Sequence, residues 1–243
     1  MTPVKDTRIV IMAGGKGTRL RPFTVSLPKP LVPVGELPIL EILLRQLYKT
    51  GFRKITLTLG YLGGLIEAYL SQAKGPAKEM EFTFVHEGEP TGTAGSLGLV
   101  EKLDSTFIVM NGDILTDLDY LDLLAFHARR GADVTVAVYE KKVKIELGVI
   151  EEDEEGWLCG FEEKPTKRYM VGMGVVIMEP TALEYVVPGE YLDLPTLLLK
   201  MLGDGRKIAV YHHQGLWLDI GNHDDFAAAQ EFFETHKALY HVD

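Results

Sequence analysis

Residues 9–34 have the sequence IVIMAGGKGTRLRPFTVSLPKPLVPV, which changes abruptly from an apolar run to a basic, glycine-rich loop. Ile9 to Met12 are continuously apolar, as in strands that are covered on both faces of a sheet. Gly14, Gly15 and Gly17 follow directly, and glycines after a buried strand let backbone N–H groups approach a ligand. The pattern predicts a buried strand that ends in an anion-binding loop.

The loop concentrates positive charge in an otherwise acidic chain. Residues 1–35 carry six basic side chains and one acidic side chain, whereas the 243-residue chain has a net charge of −10. A basic glycine loop favours a small, highly charged anion, and a nucleoside triphosphate fits this description. The alternative interpretation is a tight strand-to-loop turn with surface charges.

Two familiar phosphate-binding motifs do not match this loop. The P-loop motif requires Ser or Thr after Gly-Lys, but Gly17 follows Lys16. The dinucleotide fingerprint requires a third glycine where this chain has Leu20.

The segments AGGKGTRLRPFT (13–24) and LPKPLVPV (27–34), at this spacing, resemble the sugar-1-phosphate nucleotidyltransferases, or nucleotide-sugar pyrophosphorylases. Within this family, the chain resembles the short members that are like mannose- and heptose-1-phosphate guanylyltransferases. The resemblance implies that Arg19 and Lys29 are catalytic and hold the phosphates around the point of attack. It also implies that the glycine loop wraps the triphosphate, through Ala13, Gly14, Gly15, Gly17 and Thr18.

Composition limits the class of protein. Hydrophobic residues make up 46% of the chain and charged residues 25%, which is ordinary for a globular protein. The acidic balance argues against non-specific binding to nucleic acid or membranes, and no apolar run reaches the ~18 residues of a membrane span. The N-terminus lacks the apolar region of a signal peptide, and the one cysteine, Cys159, cannot form an internal disulfide. We therefore expect a cytoplasmic protein.

Apolar periodicity predicts alternating strands and helices along the chain. We expect strands at 9–12, 54–59, 81–86, 107–110, 132–139, 171–178 and 207–211, and helices at 38–49, 62–70, from 92, from 121, at 194–202 and at 222–238. This alternation predicts an α/β fold with a mostly parallel sheet, helices on both faces and ligands beyond the carboxyl ends of the strands. The resemblance implies a three-layer, Rossmann-like nucleotide-diphospho-sugar transferase fold with a small sugar-binding β lobe. We expect a single domain, 1–243, with a nucleotide-binding part at about 1–130 and a sugar-binding part at about 131–225.

The loop EGEPTGTAGSLG (87–98) follows the third strand, and in the resembled family it receives the base. Its small residues, including Gly92 and Thr93, allow a ligand to approach the backbone. Glu87 can only accept hydrogen bonds as a carboxylate, and guanine presents adjacent N–H donors, so Glu87 favours GTP. A solvated glutamate is an equally weighted alternative, and UTP or dTTP remain open.

Two aspartates are candidate metal ligands. Asp113 follows Asn111 and Gly112 at the carboxyl end of a strand, where it can reach a cation, and Mg²⁺ favours one or two carboxylates plus phosphates. The resemblance assigns Gly112 to nucleotide binding and Asp113 to metal binding and catalysis. It makes WLDIG (217–221) the second metal signature, with Asp219 as the other carboxylate. Taken alone, Asp219 could equally brace a turn.

Residues 148–161 predict a β-hairpin whose acidic run, 151–155, is a solvated turn. The resemblance implies that Gly148, Glu163, Lys164 and Gly174 bind the sugar phosphate. Gly172 is a departure, because many family members have an asparagine there that contacts sugar hydroxyls.

These features predict an Mg²⁺-dependent enzyme that converts NTP and a sugar 1-phosphate into NDP-sugar and pyrophosphate, with GTP favoured. By analogy we expect a homodimer. A second hypothesis is an NDP-sugar-dependent glycosyltransferase, which would use the D-x-D sequence of Asp117 and Asp119. A third is a nucleotide-sugar sensor without catalysis.

Overall fold

The structure is a computed structural model, and it describes residues 3–236. Its strands are β1 (Arg8–Ala13), β2 (Pro33–Val34), β3 (Leu37–Pro38), β4 (Lys54–Leu59), β5 (Glu81–His86), β6 (Phe107–Asn111), β7 (Ile114–Thr116), β8 (Val134–Lys144), β9 (Val149–Glu152), β10 (Leu158–Glu162), β11 (Thr166–Met178), β12 (Ile208–His213) and β13 (Trp217–Asp219). Its helices are α1 (Ile39–Thr50), α2 (Gly63–Ser71), α3 (Gly92–Gly95), α4 (Tyr120–Arg130), α5 (Leu194–Gly203) and α6 (His223–Thr235).

Strand β1 is an inner strand of a seven-stranded sheet with the order β12-β8-β11-β6-β1-β4-β5. It pairs in parallel with β4 on one side and β6 on the other, so that Ile9 lies opposite both Ile55 and Ile108. Strand β11 runs antiparallel to both of its neighbours, and the other six strands share one direction. The predicted, mostly parallel sheet is confirmed.

Apolar residues cover both faces of the sheet, as the continuous apolar run of β1 predicts. Ile9 and Ile11 pack with helices α1, α2 and α4 on one face, whereas Val10 packs with α3 and α5 on the other. A third cluster joins α6 to the loop after β1, where Phe233 packs with Leu20 and buried residues of β2. This last cluster connects the C-terminal part of the chain to the predicted phosphate loop.

Several elements differ from their predicted bounds. Strands β8 and β11 are longer than predicted, because Lys144 to Val138 pair with Thr166 to Gly172 in a ribbon that is too charged to look like a buried strand. The helix predicted from residue 92 is only the four-residue α3, followed by a 3₁₀ turn. Strands β7 and β13 were not predicted. Helix α6 ends at Thr235, and the last two residues of the predicted helix 222–238 lie outside the described residues.

Within residues 3–236, no helix is long and apolar enough to cross a membrane.

Candidate active site

A cavity of about 280 Å³ opens at the carboxyl ends of the parallel strands β1, β4, β5 and β6. This is where ligands of open α/β sheets bind. Its lining residues are Met12, Ala13, Gly14, Gly15, Lys29, Pro30, Thr58, Glu87, Pro90, Gly92, Thr93, Ser96, Asn111, Gly112 and Asp113. The cavity thus brings together most of the predicted nucleotide-binding residues with two of the three predicted catalytic residues.

The glycine loop passes close to neighbouring groups in the cavity wall. A Cβ atom added to Gly14 would lie 2.5 Å from a carboxylate oxygen of Glu87, so no larger residue fits there without displacing Glu87. Gly17 has a φ of +57°, and its carbonyl accepts a hydrogen bond from the Thr24 hydroxyl at 2.8 Å. These contacts hold the loop against the sheet edge, as expected for a loop whose N–H groups bind an anion.

Lys29 and Asp113 form an ion pair inside the cavity. The Lys29 ammonium donates to Asp113 Oδ2, and the two side chains are only 14% and 17% exposed. The second oxygen, Asp113 Oδ1, is buried and has no hydrogen-bond partner among the described residues. A buried carboxylate oxygen without a partner is costly, so a cation or a donor from a ligand fits this position.

The pairing of β13 with β7 brings Asp219 beside Asp113. Asp219 lies opposite Ile114, and the next N–H along the chain, that of Ile220, donates to the Asp113 carbonyl at 3.1 Å. Burial, and then the charge of Asp113, raise the pKa of Asp219 above its ordinary value, whereas Lys29 and Arg19 oppose this shift. Two carboxylates this close together suit a divalent cation, whose charge offsets their repulsion.

The two carboxylates are too few to surround a cation by themselves, so other ligands would have to come from a substrate and from water. The described part of the chain contains no cluster of three or more His, Cys, Asp or Glu side chains suited to a metal ion. Mg²⁺ commonly takes only one or two carboxylates and completes its octahedron with waters and phosphates. Asp113 and Asp219 therefore fit Mg²⁺ bound together with a nucleotide.

Arg19 and Thr18 lie in a 3₁₀ turn after Gly17, and both are exposed at the rim rather than in the lining of the cavity. The Arg19 guanidinium faces Gly221, where an added Cβ would lie 3.5 Å from a guanidinium nitrogen. Gly221 belongs to the same WLDIG segment as Asp219. The turn thus brings Arg19 to the carboxylate pair from outside the cavity.

Glu87 lies in the cavity wall, and one of its two carboxylate oxygens is already engaged in hydrogen bonds within the protein. Its Oε2 accepts from the Thr91 N–H at 3.1 Å and from the Thr91 hydroxyl at 2.8 Å, while Oε1 faces Gly14. Thr93 Oγ1 accepts from the Leu194 N–H at 2.8 Å, which ties the loop to α5. Glu87 therefore braces the loop 87–98, a role that the sequence pattern did not indicate.

The four predicted sugar-phosphate residues lie outside the cavity lining. Gly148 and Glu163 are neighbours at the base of the β9–β10 hairpin, because an added Cβ on Gly148 would lie 3.1 Å from a Glu163 oxygen. Lys164 is exposed and has a φ of +47°, which is uncommon for lysine. Gly174, with a φ of +71°, packs against the Asn111 side chain, which does line the cavity.

The D-x-D sequence serves the fold. The carboxylate of Asp117 accepts from the Leu216 N–H at 2.6 Å and from His213 at 2.9 Å. Asp119 is the N-cap of α4 and accepts from the N–H groups of Leu121 and Asp122 at 2.9 and 3.0 Å. Neither carboxylate lines the cavity.

Sequence reasoning missed several lining residues, notably Thr58, Asn111 and Pro90. Thr58 and Asn111 lie at the carboxyl ends of β4 and β6, and this position was a usable signal. Pro90 reaches the cavity only through the local path of the loop after β5.

Comparison with known proteins gives consistent matches. A family model described as nucleotidyl transferase matches residues 8–236. A mannose-1-phosphate guanylyltransferase catalytic subunit beta from Drosophila pseudoobscura pseudoobscura is 33% identical over 226 residues, which cover 90% of this chain and 60% of that protein. A UTP–glucose-1-phosphate uridylyltransferase from Synechocystis sp. is 32% identical over 239 residues, which cover 90% of this chain and 61% of that protein. The chain thus spans about three fifths of the length of these curated relatives.

One solved structure is similar to this chain over nearly the full length of both proteins. HddC from Yersinia pseudotuberculosis, complexed with GMP-PN, has a TM-score of 0.70 and 26% identity, over 93% of this chain and 99% of that chain.

Proposed function

This chain belongs to the nucleotidyl transferase family, and from that premise we propose that it transfers a nucleotidyl group from a nucleoside triphosphate to a sugar 1-phosphate. The products are an NDP-sugar and pyrophosphate. The observation that carries the proposal is the Lys29–Asp113 ion pair beside Asp219 at the open end of the glycine loop. A purely structural turn has no need for a half-buried pair of carboxylates next to a cationic loop.

In the proposed reaction, an oxygen of the sugar phosphate attacks the α-phosphorus of the NTP, and the bond to the β-phosphate oxygen breaks, so that pyrophosphate leaves with that electron pair. The attacking phosphate is anionic near neutral pH, its second pKa being about 6, so it needs no strong general base. The protein must instead align two anions and offset their repulsion.

The charged residues of the site and the backbone of the glycine loop each bind a different part of the two substrates in this reaction. The backbone N–H groups around Gly14 and Gly15 bind the triphosphate, and Lys29 and Arg19 offset the charge that moves onto the pyrophosphate. Lys164 holds the attacking phosphate, and Glu163 accepts from a sugar hydroxyl, together with backbone around Gly148 and Gly174. The strained φ of Lys164 supports a functional role, because such backbone conformations concentrate at binding sites.

Asp113 and Asp219 would hold Mg²⁺ with the nucleotide. When bound, this ion polarises the α-phosphate and neutralises phosphate charge. The buried, unpartnered Oδ1 of Asp113 supports this assignment.

GTP is the proposed nucleotide. The Drosophila relative is named a guanylyltransferase and the HddC crystals hold GMP-PN, whereas the Synechocystis relative is named a uridylyltransferase. Glu87 lines the cavity, and its Oε1, which lies beside Gly14, can accept from the N–H donors of guanine. Comparing turnover with GTP, UTP and dTTP in one assay therefore tests this nucleotide preference.

Pyrophosphate release, measured with Mg²⁺ for each NTP against a panel of sugar 1-phosphates, tests the proposal. We expect release only when both substrates are present, with GTP preferred. Release with UTP or dTTP instead would remove the role given to Glu87. NTP binding without turnover across the panel would favour a sensor. Sugar transfer from an NDP-sugar is not expected, because Asp117 and Asp119 are engaged in the fold. A cytoplasmic location stays a prediction.

A further inference from the structure

The chain after β4 packs directly against the glycine loop. Gly60 and Tyr61 follow β4, and β4 is the parallel neighbour of β1, so both strands end at the same edge of the sheet. A Cβ atom added to Gly60 would lie 2.6 Å from the Gly14 carbonyl oxygen and 3.0 Å from the Gly14 Cα atom. The two loops therefore touch through their backbones, at a distance that leaves no room for a side chain at residue 60.

Tyr61 binds both ends of residues 14–25 of the glycine loop. Its N–H donates to the Gly14 carbonyl at 3.3 Å, and its hydroxyl donates to the Val25 carbonyl at 3.1 Å. The bond within the loop, from the Thr24 hydroxyl to the Gly17 carbonyl, involves neither of these two carbonyls. Tyr61 thus bridges the two ends of the loop from outside it.

The backbone directly after Tyr61 is strained. Leu62, at the N-terminus of α2, has a φ of +55° and a ψ of +25°, a left-handed conformation that is unfavourable for a bulky side chain. The chain reverses direction here, and the Gly63 N–H donates to the Gly60 carbonyl at 3.1 Å. Strained backbone persists where the surrounding structure requires it, and it is concentrated at functional sites. The tight turn directs Tyr61 towards the glycine loop rather than along α2.

The loop that Tyr61 bridges carries charges that repel one another. Lys16, Arg19 and Arg21 are exposed, and none of them forms an ion pair within residues 3–236. Without a bound anion, these like charges favour an open loop, in which the backbone N–H groups no longer converge on one point. A residue that binds both ends of the loop opposes this opening.

We propose that Tyr61 is a positioning residue, which holds the glycine loop in its anion-binding shape before the nucleoside triphosphate binds. It acts through the carbonyls of Gly14 and Val25 and does not line the cavity itself. Binding then costs less conformational entropy, because the loop is already ordered. This inference rests on the proposed function, since it takes the ligand of the loop to be the triphosphate.

Titration calorimetry and steady-state kinetics of Tyr61→Phe, with the preferred NTP and Mg²⁺, provide the first test. The variant keeps the ring and the backbone N–H, and it removes only the hydroxyl that donates to Val25. The loss of this hydrogen bond should raise the Kd and KM for the NTP about 3–10-fold. We expect kcat and the KM for the sugar 1-phosphate to stay within ~2-fold of the wild type. An unchanged affinity for the NTP would overturn the proposal, and so would a fall in kcat alone.

Tyr48→Phe is the matched control for the loss of a tyrosine hydroxyl. The Tyr48 hydroxyl donates to Glu79 Oε2 at 2.6 Å, in a bond that joins α1 to the segment before β5. Its removal should leave the KM for the NTP and kcat unchanged. A KM that rises equally in both variants would show a general effect of losing a hydroxyl and would overturn the role of Tyr61.

Limited proteolysis tests the bridging contacts without any turnover. Trypsin can cleave after Lys16 and Arg19, which lie between the two carbonyls that Tyr61 binds. Without nucleotide, Tyr61→Phe should be cut there at least ~3-fold faster than the wild type or Tyr48→Phe, because cleavage follows the population of the open loop. The NTP with Mg²⁺ should reduce this difference. Equal cleavage rates in the three proteins would overturn the proposal.

These measurements distinguish a failure of this inference from a failure of the proposed function. If the wild type turns over and Tyr61→Phe matches it in both KM and cleavage rate, the proposed function stands and the role of Tyr61 fails. If the wild type neither binds nor turns over any NTP, the proposed function fails, and the role of Tyr61 in triphosphate binding fails with it. Faster cleavage of Tyr61→Phe would then still show that this residue keeps the loop closed.

Discussion

The negative charge of Asp219 is unfavourable for folding, but the proposed metal site requires it. Its pKa is raised, so the folded state binds the proton more tightly than the unfolded chain does. Its effect on the free energy of unfolding is therefore neutral below the ordinary aspartate pKa, becomes unfavourable as the pH rises towards the raised pKa, and stays so at neutral pH.

We therefore expect Asp219→Asn to raise the Tm at neutral pH in EDTA, by about 2–4 °C for each kcal/mol added to the free energy of unfolding. The same substitution should abolish turnover. The matched control is Asp193→Asn. Hydrogen bonds from Thr196 lower the pKa of Asp193, so its charge stabilises the fold above the ordinary pKa, and its loss should lower the Tm. A lower Tm for Asp219→Asn would contradict the unfavourable charge.

Lys29 and Asp113 are expected to act on the transition state. Lys29→Ala or Asp113→Asn should lower kcat on the order of 10²-fold or more, the usual scale for losing one electrostatic stabiliser. Lys16→Ala should have a smaller effect, because Lys16 is exposed and lies outside the cavity. Initial rates of pyrophosphate release, on variants whose folding is checked by circular dichroism, measure the difference. Near wild-type rates for folded Lys29→Ala would refute the role of the pair.

At the scale of single elements, helix α6 holds the loop that carries Arg19 and Lys29. His223 Nε2 donates to the Arg21 carbonyl at 2.6 Å, and the Phe23 ring packs on Phe226 with centroids 5.2 Å apart. Further along the helix, Gln230 accepts from the N–H of Gly35 at 2.8 Å. The start of α6 thus fixes the turn that follows Arg19.

His223→Ala should lower kcat/KM for the NTP about 10-fold, because the loop loses its alignment, with little change in Tm. The control is His212→Ala, an exposed histidine on β12. Steady-state kinetics with varied NTP distinguish the two variants. If both lose activity equally, α6 does not position the loop.

Helix α4 begins at a capping residue rather than at a metal ligand. Asp119→Ala removes two hydrogen bonds at the N-terminus of α4 and should destabilise the protein by about 1 kcal/mol, or ~2–4 °C in Tm. Asp119→Asn, which keeps a capping side chain, is the matched control. Turnover per folded molecule should be unchanged in both, and a large loss in kcat would revive a metal role for the D-x-D sequence.

The limits of the sequence-based predictions are clearest at the scale of elements. Local periodicity was sufficient for β1 and α1, whose apolar patterns match their burial. It failed for the outer halves of β8 and β11, because antiparallel pairing stabilises a charged ribbon that has no apolar pattern. The partner of Asp117 was equally hidden, since Leu216 is distant in sequence and only the fold joins them.

At the scale of the whole molecule, a ligand should bind only to the assembled cavity. GTP and Mg²⁺ at about 100 times the Kd should stabilise the chain by ~2.7 kcal/mol, which corresponds to about 5–10 °C in Tm. In EDTA most of this shift should disappear, because Asp113 and Asp219 then repel the triphosphate. Differential scanning fluorimetry with GTP, with and without EDTA, measures the effect. An undiminished shift in EDTA would argue against a metal at this carboxylate pair.

The order of the strands and the full lining of the cavity could not be predicted from any single short segment, because both bring together residues that are distant in sequence. The glycine loop and the position of Asp113 were predictable from one segment each, because both follow a buried strand. The approach of Asp219 to Asp113 was available only through the resemblance, since β7 and β13 are too short to show a pattern. Glu87, by contrast, was predicted to face the base, and its bracing bonds to Thr91 emerged only from the fold.

The attachment of α6 to the loop after β1 also has a consequence for biosynthesis. The ribosome makes the glycine loop among the first residues, but His223 and Gln230, which hold that loop, are made about two hundred residues later. A nascent chain that has emerged only as far as β12 therefore carries Arg19 and Lys29 without the helix that aligns them. We therefore expect the loop of an unfinished copy to reach its final alignment only after α6 has been translated.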